Sequence, residues 1–291
     1  MSDVAEDTHL GAATPAARRR RPANRGGLLV GIGLAMLVAM LIVTVFAPLI
    51  APFDPAATSP DSLAGASERH WLGTDQIGRD VLSRLIVGGR TTLLITVSAV
   101  AVALVAGLIL GLASGYCGGF VDEAIMRVLD VVFAFPVLLL AIAVVAALGP
   151  TVPNLIVTIA IVYTPAMARV VRAPVLSVKQ WDHVEAARSI GMSEMRLVLR
   201  HILPIVVSPI LVATSLTLSQ TIFTVTALSF LGLGPPPPDP NWGGMLSEAR
   251  QFMELAPLTV IGPAAAIVFA TLTFIVLANG LREVLDVGSA R

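Results

Sequence analysis

Gln180-Trp-Asp-His-Val-Glu185-Ala-Ala-Arg-Ser-Ile-Gly191-Met-Ser-Glu-Met-Arg-Leu-Val-Leu-Arg-His-Ile-Leu-Pro204 is a polar island in a chain that is otherwise strongly apolar. Asp182-His-Val-Glu185 has the D-x-x-E spacing of a capping box, in which each end satisfies an orphan amide of a starting helix. The spacing predicts a short helix from Asp182 to Gly191, with Gly191 suited to a left-handed C-cap. Ser193 is placed to cap a second helix. Along it Met195, Val198, Leu199 and Ile202 fall at i, i+3, i+4 and i+7, which predicts one apolar face. Arg196 and Arg200, four apart, share another. The stretch therefore reads as a compact helix–turn–helix with its charges outward. From pattern alone, a hairpin lying on lipid headgroups fits as well as a surface shaped for a partner.

Working outward, the 291 residues are 56% hydrophobic and 13% charged, with a mean hydropathy of +0.86. Soluble domains carry about 25% charged residues, so the chain is a polytopic membrane protein. A membrane-spanning helix needs about 20 apolar residues. Charge-free stretches of that size lie between Arg25 and Asp54, Arg90 and Asp122, Asp130 and Arg169, Arg200 and Asp239, and Glu254 and Arg282. The third is long enough for two spans, broken at Gly149-Pro150-Thr151-Val152-Pro153-Asn154. Six helices result, and no alternating pattern supports a barrel. The first run exceeds the roughly 7–15 apolar residues of a signal peptide and reads as an uncleaved span.

The net charge of zero hides an asymmetry. With the N-terminus inside, fourteen basic residues face the cytoplasm: Arg18, Arg19, Arg20, Arg21, Arg25, Arg127, Arg169, Arg172, Lys179, Arg188, Arg196, Arg200, Arg282 and Arg291. Five face outside: Arg69, Arg79, Arg84, Arg90 and Arg250. The excess favours N-in, C-in, and four arginines in the first external loop are the discordant piece. The arginine-rich tail reads as a topology anchor rather than a nucleic-acid contact. The expected layout is a basic cytoplasmic tail over 1–26, a first helix over 27–52 and an extracytoplasmic loop over 53–90. A five-helix core follows over 91–282 with the polar loop at 172–204, then a cytoplasmic tail over 283–291.

Glu185-Ala186-Ala187, with Gly191 six residues after the glutamate and Leu203-Pro204 closing, resembles the E-A-A-x3-G-x9-I-x-L-P signature of binding-protein-dependent permeases of ATP-binding-cassette importers. His201 stands where the general pattern has Ile, and His-Ile-Leu-Pro in that register resembles the dipeptide, oligopeptide and nickel branch. His70-Trp-Leu-Gly-Thr-Asp-Gln-Ile-Gly-Arg-Asp-Val-Leu-Ser-Arg84 resembles its segment before the second span. Leu228-Ser-Phe-Leu-Gly-Leu-Gly-Pro-Pro-Pro-Pro-Asp-Pro-Asn-Trp-Gly-Gly-Met-Leu246 resembles the one after the fifth. Asp130 with Ala134-Phe135-Pro136 also fits. The resemblance spans roughly residues 27–286 and departs at Ala278-Asn279, where the branch has Gly-Asp, and at Val287, where Pro often follows Asp286.

That resemblance implies an all-α, six-span type I importer fold of the second, smaller permease type, in a bacterial-type inner membrane. It implies a second homologous permease, two cytoplasmic ATPase subunits carrying ATP and Mg, and an extracytoplasmic solute-binding protein. No cofactor is implied on this chain. Asp182, Glu185, Ala186, Ala187, Gly191, Ser193, Arg196, Leu203 and Pro204 would form the ATPase-docking loop. Pro235, Pro236 and Trp242 would be placed for a binding-protein contact. The cargo class would be peptides or related small solutes.

Other readings rest on the residues alone. Val81, Leu82, Leu85 and Ile86 suggest an interfacial helix with an Asp80–Arg84 pair four apart. Pro235 to Pro238 read as stiff polyproline II, and Pro136 and Pro165 as kinks. No G-x4-G-K-[ST] occurs, and the single lysine, Lys179, precedes Gln180, so the phosphate-cradling loop is missing. Cys117 is alone, and His9, His70, His183 and His201 are far apart, without metal-ligand spacing. An ion-coupled secondary transporter is the rival class. It would carry ionisable groups deep in its spans, and the middles of these spans hold none.

Overall fold

The computed structural model describes residues 24–288. The N-terminal arginines Arg18 to Arg21 and the end of the C-terminal tail, Arg291, lie outside the described residues. Among these residues no strand forms; Thr74 and Asp80 make one isolated bridge. The helices are α1 Asn24–Val45, α2 Ala47–Ile50, α3 Val81–Cys117, α4 Gly119–Phe133, α5 Val137–Leu148, α6 Val152–Val178, α7 Asp182–Ser189, α8 Glu194–Leu197, α9 Leu203–Leu228, α10 Trp242–Ala249 and α11 Leu258–Gly288. Five of the apolar helices are long and apolar enough to cross a membrane, and α4 with α5, bent by 87° at their break, has the composition of a broken sixth span or a re-entrant pair.

The bend sits where the sequence suggests only a kink. Phe135 precedes a proline, which disfavours helical backbone, and Pro136 becomes the N-cap of α5. The third span is thus not one helix from Asp130. α5 has 12 residues, about 18 Å at 1.5 Å per residue, which is too short alone for a hydrocarbon core of about 30 Å. α4 is held near one end of the bundle by Asp122, whose carboxylate accepts both Nε and Nη2 of Arg172 at 2.6 Å and also the Ser114 hydroxyl. Pro165, by contrast, is buried within a continuous α6.

The core is organised by small residues. Ala99, Ala103, Gly107, Gly111 and Gly115 recur every four residues along α3, all buried. A methyl group at Gly111 would lie 2.6 Å from the Ala168 carbonyl oxygen, and one at Gly115 would lie 2.9 Å from Val175 Cβ. In lipid, helices gain little from apolar burial against each other, so close backbone approach through small residues is what drives their packing. The same device joins α1 to α11, where a methyl group at Gly280 would sit 2.6 Å from the Val30 nitrogen. Neither stripe stood out among so many apolar residues.

The start of α1 meets the end of α11, with Gly26 against Glu283 and Val284. Arg282 and Leu285 share a cavity with Val170, Ile205 and Ser208, so the start of α1, the end of α11 and the foot of α9 lie at one end of the bundle. The opposite end carries the loop before α3. α3 begins at Val81, so the segment read as an interfacial helix is the first part of the second span. Asp80 caps it, accepting the Ser83 amide and hydroxyl at 2.7 Å and pairing with His70 Nδ1 at 2.8 Å. The Asp80–Arg84 side-chain pair therefore does not form. Arg84, 3% exposed, pairs with Glu248 of α10 at 2.9 Å; Arg79 joins the same carboxylate at 2.7 Å and Asp75 at 2.6 Å. Two of the four discordant arginines are thereby neutralised.

Breaking a buried ion pair leaves an uncompensated charge. Arg79 still pairs with Glu248 when Arg84 is removed, and Glu248 is 30% exposed, so Arg84→Leu is expected to cost less than the roughly 3–5 kcal/mol of a buried pair broken outright. The measurement is the thermal midpoint in detergent; a midpoint equal to that of the unaltered chain would show the network to be energetically neutral.

Candidate functional site

The polar loop leaves α6 at Val178 and returns as α9. Its first helix, α7, starts at Trp181, whose carbonyl accepts the amides of Val184 and Glu185. Trp181 is the N-cap, and no side chain caps the helix. The Asp182–Glu185 capping box is therefore not formed: Asp182 lies inside the first turn, where its carboxylate still faces the positive end of the helix. The helix closes as expected at Gly191, which has φ +81°. Met192 N–H reaches the Ala187 carbonyl at 3.2 Å and Gly191 N–H the Arg188 carbonyl at 3.0 Å, the two bonds of a Schellman motif. Ser193 holds the N-cap position of α8 by its backbone, without a side-chain bond.

The face along the second helix differs from the periodic reading. Met195 and Leu199 are exposed, whereas Leu197 and Ile202 are fully buried. α8 itself turns Leu197 inward and Met195 outward, and a π-helical turn over Val198–Ile202 follows it. Its i→i+5 bonding places Leu197 and Ile202, five apart, on one side and shifts the register that a 3.6-residue period assumes. Val184, Ala187, Leu197, Ile202 and Val206 pack with Val171, Val175 and Val178 of α6, and Leu108, Leu112 and Tyr116 of α3 lie against them. Arg188 donates to the Tyr116 hydroxyl at 3.2 Å, and Lys179 Nζ donates to the Gly115 carbonyl at 2.9 Å. The hairpin is thus bolted to the α3–α6 crossing.

Glu185 and Ala186 are exposed on α7 while Ala187 faces inward, and Arg196 is exposed on α8. Leu203 is half-buried, and Pro204 lies in the first turn of α9, where its missing N–H costs nothing. Glu185 has no side-chain partner among the described residues. The same loop exposes three apolar side chains, Ile190 at 81%, Met195 at 69% and Leu199 at 54%. A 3.6-residue period places Met195 and Leu199 inward and gives no sign of Ile190, which follows the end of α7.

The second candidate surface is only partly available. Pro236 to Asp239 are exposed, but Pro235 is buried. Trp242 is 6% exposed, donates Nε1–H to the Leu85 carbonyl at 2.9 Å, and fills the space above Gly89. A direct Trp242 side-chain contact with a soluble partner is ruled out in this arrangement; the indole anchors the loop to α3. The prolines do not run on as one extended rod, since the chain turns at Pro237–Pro238.

Comparison with known proteins places this geometry. Residues 103–288 match the family described as binding-protein-dependent transport system inner membrane component, and residues 29–65 match the N-terminal transmembrane domain of oligopeptide transport permease C. The dipeptide transport system permease protein DppC of Alkalihalophilus pseudofirmus is 42% identical over 256 residues, covering 88% of this chain and 84% of that protein. The glutathione transport system permease protein GsiD of Pectobacterium atrosepticum is 44% identical over 260 residues, covering 88% and 86%. Among solved structures, an inward-facing MetNI methionine ABC transporter chain aligns with TM-score 0.56 at 18% identity, over 70% of this chain and 96% of that one. An amino acid ABC transporter gives TM-score 0.54 at 21% identity, over 68% and 92%. At those identities the structural likeness concerns the fold, but the family match spans most of the helical core and the whole polar loop. The chain belongs to the binding-protein-dependent transport system inner membrane components, as a multi-pass inner-membrane permease of an ATP-binding-cassette importer.

Proposed function

We propose that this permease imports di- or oligopeptides or related small solutes, handed over by an extracytoplasmic binding protein and driven by two cytoplasmic ATPase subunits that bind ATP and Mg. A second, homologous permease completes the pathway. The observation that carries the reading is the polar loop itself, a hairpin packed on the α3–α6 crossing that exposes Glu185 together with Ile190, Met195 and Leu199. Exposed apolar side chains beyond the membrane gain only if something covers them, and a short helix in a partner's groove is a common solution. Relatives named for dipeptide and glutathione transport support peptides as the cargo class. Nucleotide binding belongs to the partner subunits, because this chain has no phosphate-cradling loop. At the opposite end Pro236 to Asp239 are the part of the proline segment free to meet the binding protein.

Co-purification of the tagged permease with co-expressed ATPase subunits tests the docking. Met195→Glu together with Ile190→Glu is expected to abolish capture of the ATPases while leaving membrane abundance unchanged, since both side chains are exposed. Undiminished capture would overturn the docking assignment. Peptide uptake by the isolated chain in liposomes, driven by a proton gradient without ATPases, would turn the reading toward an ion-coupled carrier.

A further inference from the structure

Gln220 lies at the midpoint of the charge-free run from Arg200 to Asp239, at a depth where an amide without a hydrogen-bond partner is costly. It is exposed, and its carboxamide has no partner among the described residues. Its surroundings are not those of a lipid-facing helix. Between Ser215 and Ser229 only Leu216, Gln220 and Phe223 are exposed, spaced four and three apart, while most of the intervening residues are buried. The exposed strip is one residue wide. Thr217 and Thr224, each 5% exposed, border it, and the Thr224 hydroxyl pairs with that of Tyr163 at 2.8 Å.

Toward the cytoplasmic end the strip continues through Leu216, Ala213 and Pro209 into a cavity of about 820 Å³ between α6, α9 and α11, which also reaches Ser208 and Arg282. That volume lies in the range of roughly 300–1,000 Å³ that holds small organic ligands. A lone amide on such a strip, one turn above such a cavity, gains if water or a solute passes it.

We propose that Gln220 is a cargo-contacting residue of the translocation path, which pairs with the peptide group of the passing solute. The inference rests on the peptide-importer reading. A carboxamide offers two N–H donors and a carbonyl acceptor, matching the N–H and C=O of a peptide bond whatever its side chains. Being uncharged, it holds the solute weakly enough to release it, as conduction requires. The apolar neighbours Leu216 and Phe223 are indifferent to side-chain identity.

The test uses the complete complex in proteoliposomes, with Ala-Ala as cargo. First, Gln220→Cys in a Cys117→Ser background is treated with a membrane-impermeant thiol reagent. Labelling that is slowed by saturating Ala-Ala-loaded binding protein with ATP is expected. No labelling in any state would place the residue against lipid or the second permease and overturn the proposal. Second, Gln220→Leu is expected to lower the maximal Ala-Ala uptake rate about 3- to 10-fold, the worth of one neutral hydrogen bond. The half-saturating concentration of binding protein should stay the same, and Gln220→Asn should recover most of the rate. Wild-type uptake in Gln220→Leu would also overturn it. Labelling from water in a complex that transports no Ala-Ala would instead fail the peptide reading and leave Gln220 on the path of another solute.

Discussion

Gly111→Leu is expected to remove the folded permease from the membrane. A single added carbon at Gly111 already meets the Ala168 carbonyl oxygen and Val171 Cβ at 2.6 Å, and one of those atoms is backbone that cannot rotate away. Overpacking a well-filled core costs about 1–3 kcal/mol for modest insertions. A branched four-carbon side chain must push α3 and α6 apart along the whole crossing. Total stabilities are only about 5–15 kcal/mol, so the leucine variant should show no folded peak on size exclusion and strongly reduced abundance. Gly111→Ala should fold with a lowered thermal midpoint. Gly31→Leu in α1 is the control, because nothing lies within 4 Å of that position; it should behave as the unaltered chain. Normal abundance and melting of Gly111→Leu would show that the α3–α6 crossing is not the fold's organising contact.

Gly191→Val is expected to uncouple ATP hydrolysis from uptake without unfolding the permease. Space is not the obstacle, since nothing lies within 4 Å of a side chain there. The obstacle is φ +81°, a conformation that costs an L-residue about 1–2 kcal/mol and a β-branched one more. The turn is exposed, so the chain relieves this strain by reshaping the Schellman turn. That moves Ile190 and Met195 relative to Glu185. About 1.4 kcal/mol of lost docking is a tenfold effect, and a reshaped surface should lose at least that. The substitution series is the sharper check: uptake should fall in the order Gly, Asn, Ala, Val, because Asn tolerates the left-handed region. Abundance should stay level throughout. Equal uptake across the series would show that the turn's conformation does not matter to coupling.

The two positions differ in how visible they were. Gly191 announces itself, because a glycine ending a short polar helix has a local backbone reason to be there. Gly111 is one glycine among many in an apolar run, and its importance appears only when α6 is placed against it. The external loop repeats the contrast. The roles of Asp80 as a helix cap and Pro136 as a helix breaker are local, yet the 87° turn exceeded what one proline announces. The partner of Arg84 is Glu248, far along the chain, whereas the i,i+4 spacing points to Asp80.

Apolar run length, charge asymmetry, the left-handed turn at Gly191 and the permease signature were all legible in residue order. Each depends on a transfer energy or a backbone preference set within a few residues. Packing alone decided which side of a helix faces in. Leu197 faces inward with Ile202 against the valines of α6, while Met195 and Leu199 face outward, and the π-turn at Val198–Ile202 offsets the phase of α8 from that of α9. Packing also turned Trp242 from a presumed surface into an anchor over Gly89. It left Gln220 as the one polar side chain on an exposed strip of α9. Helix phase and long-range pairing are properties of two segments together, and one segment's sequence carries no record of the other.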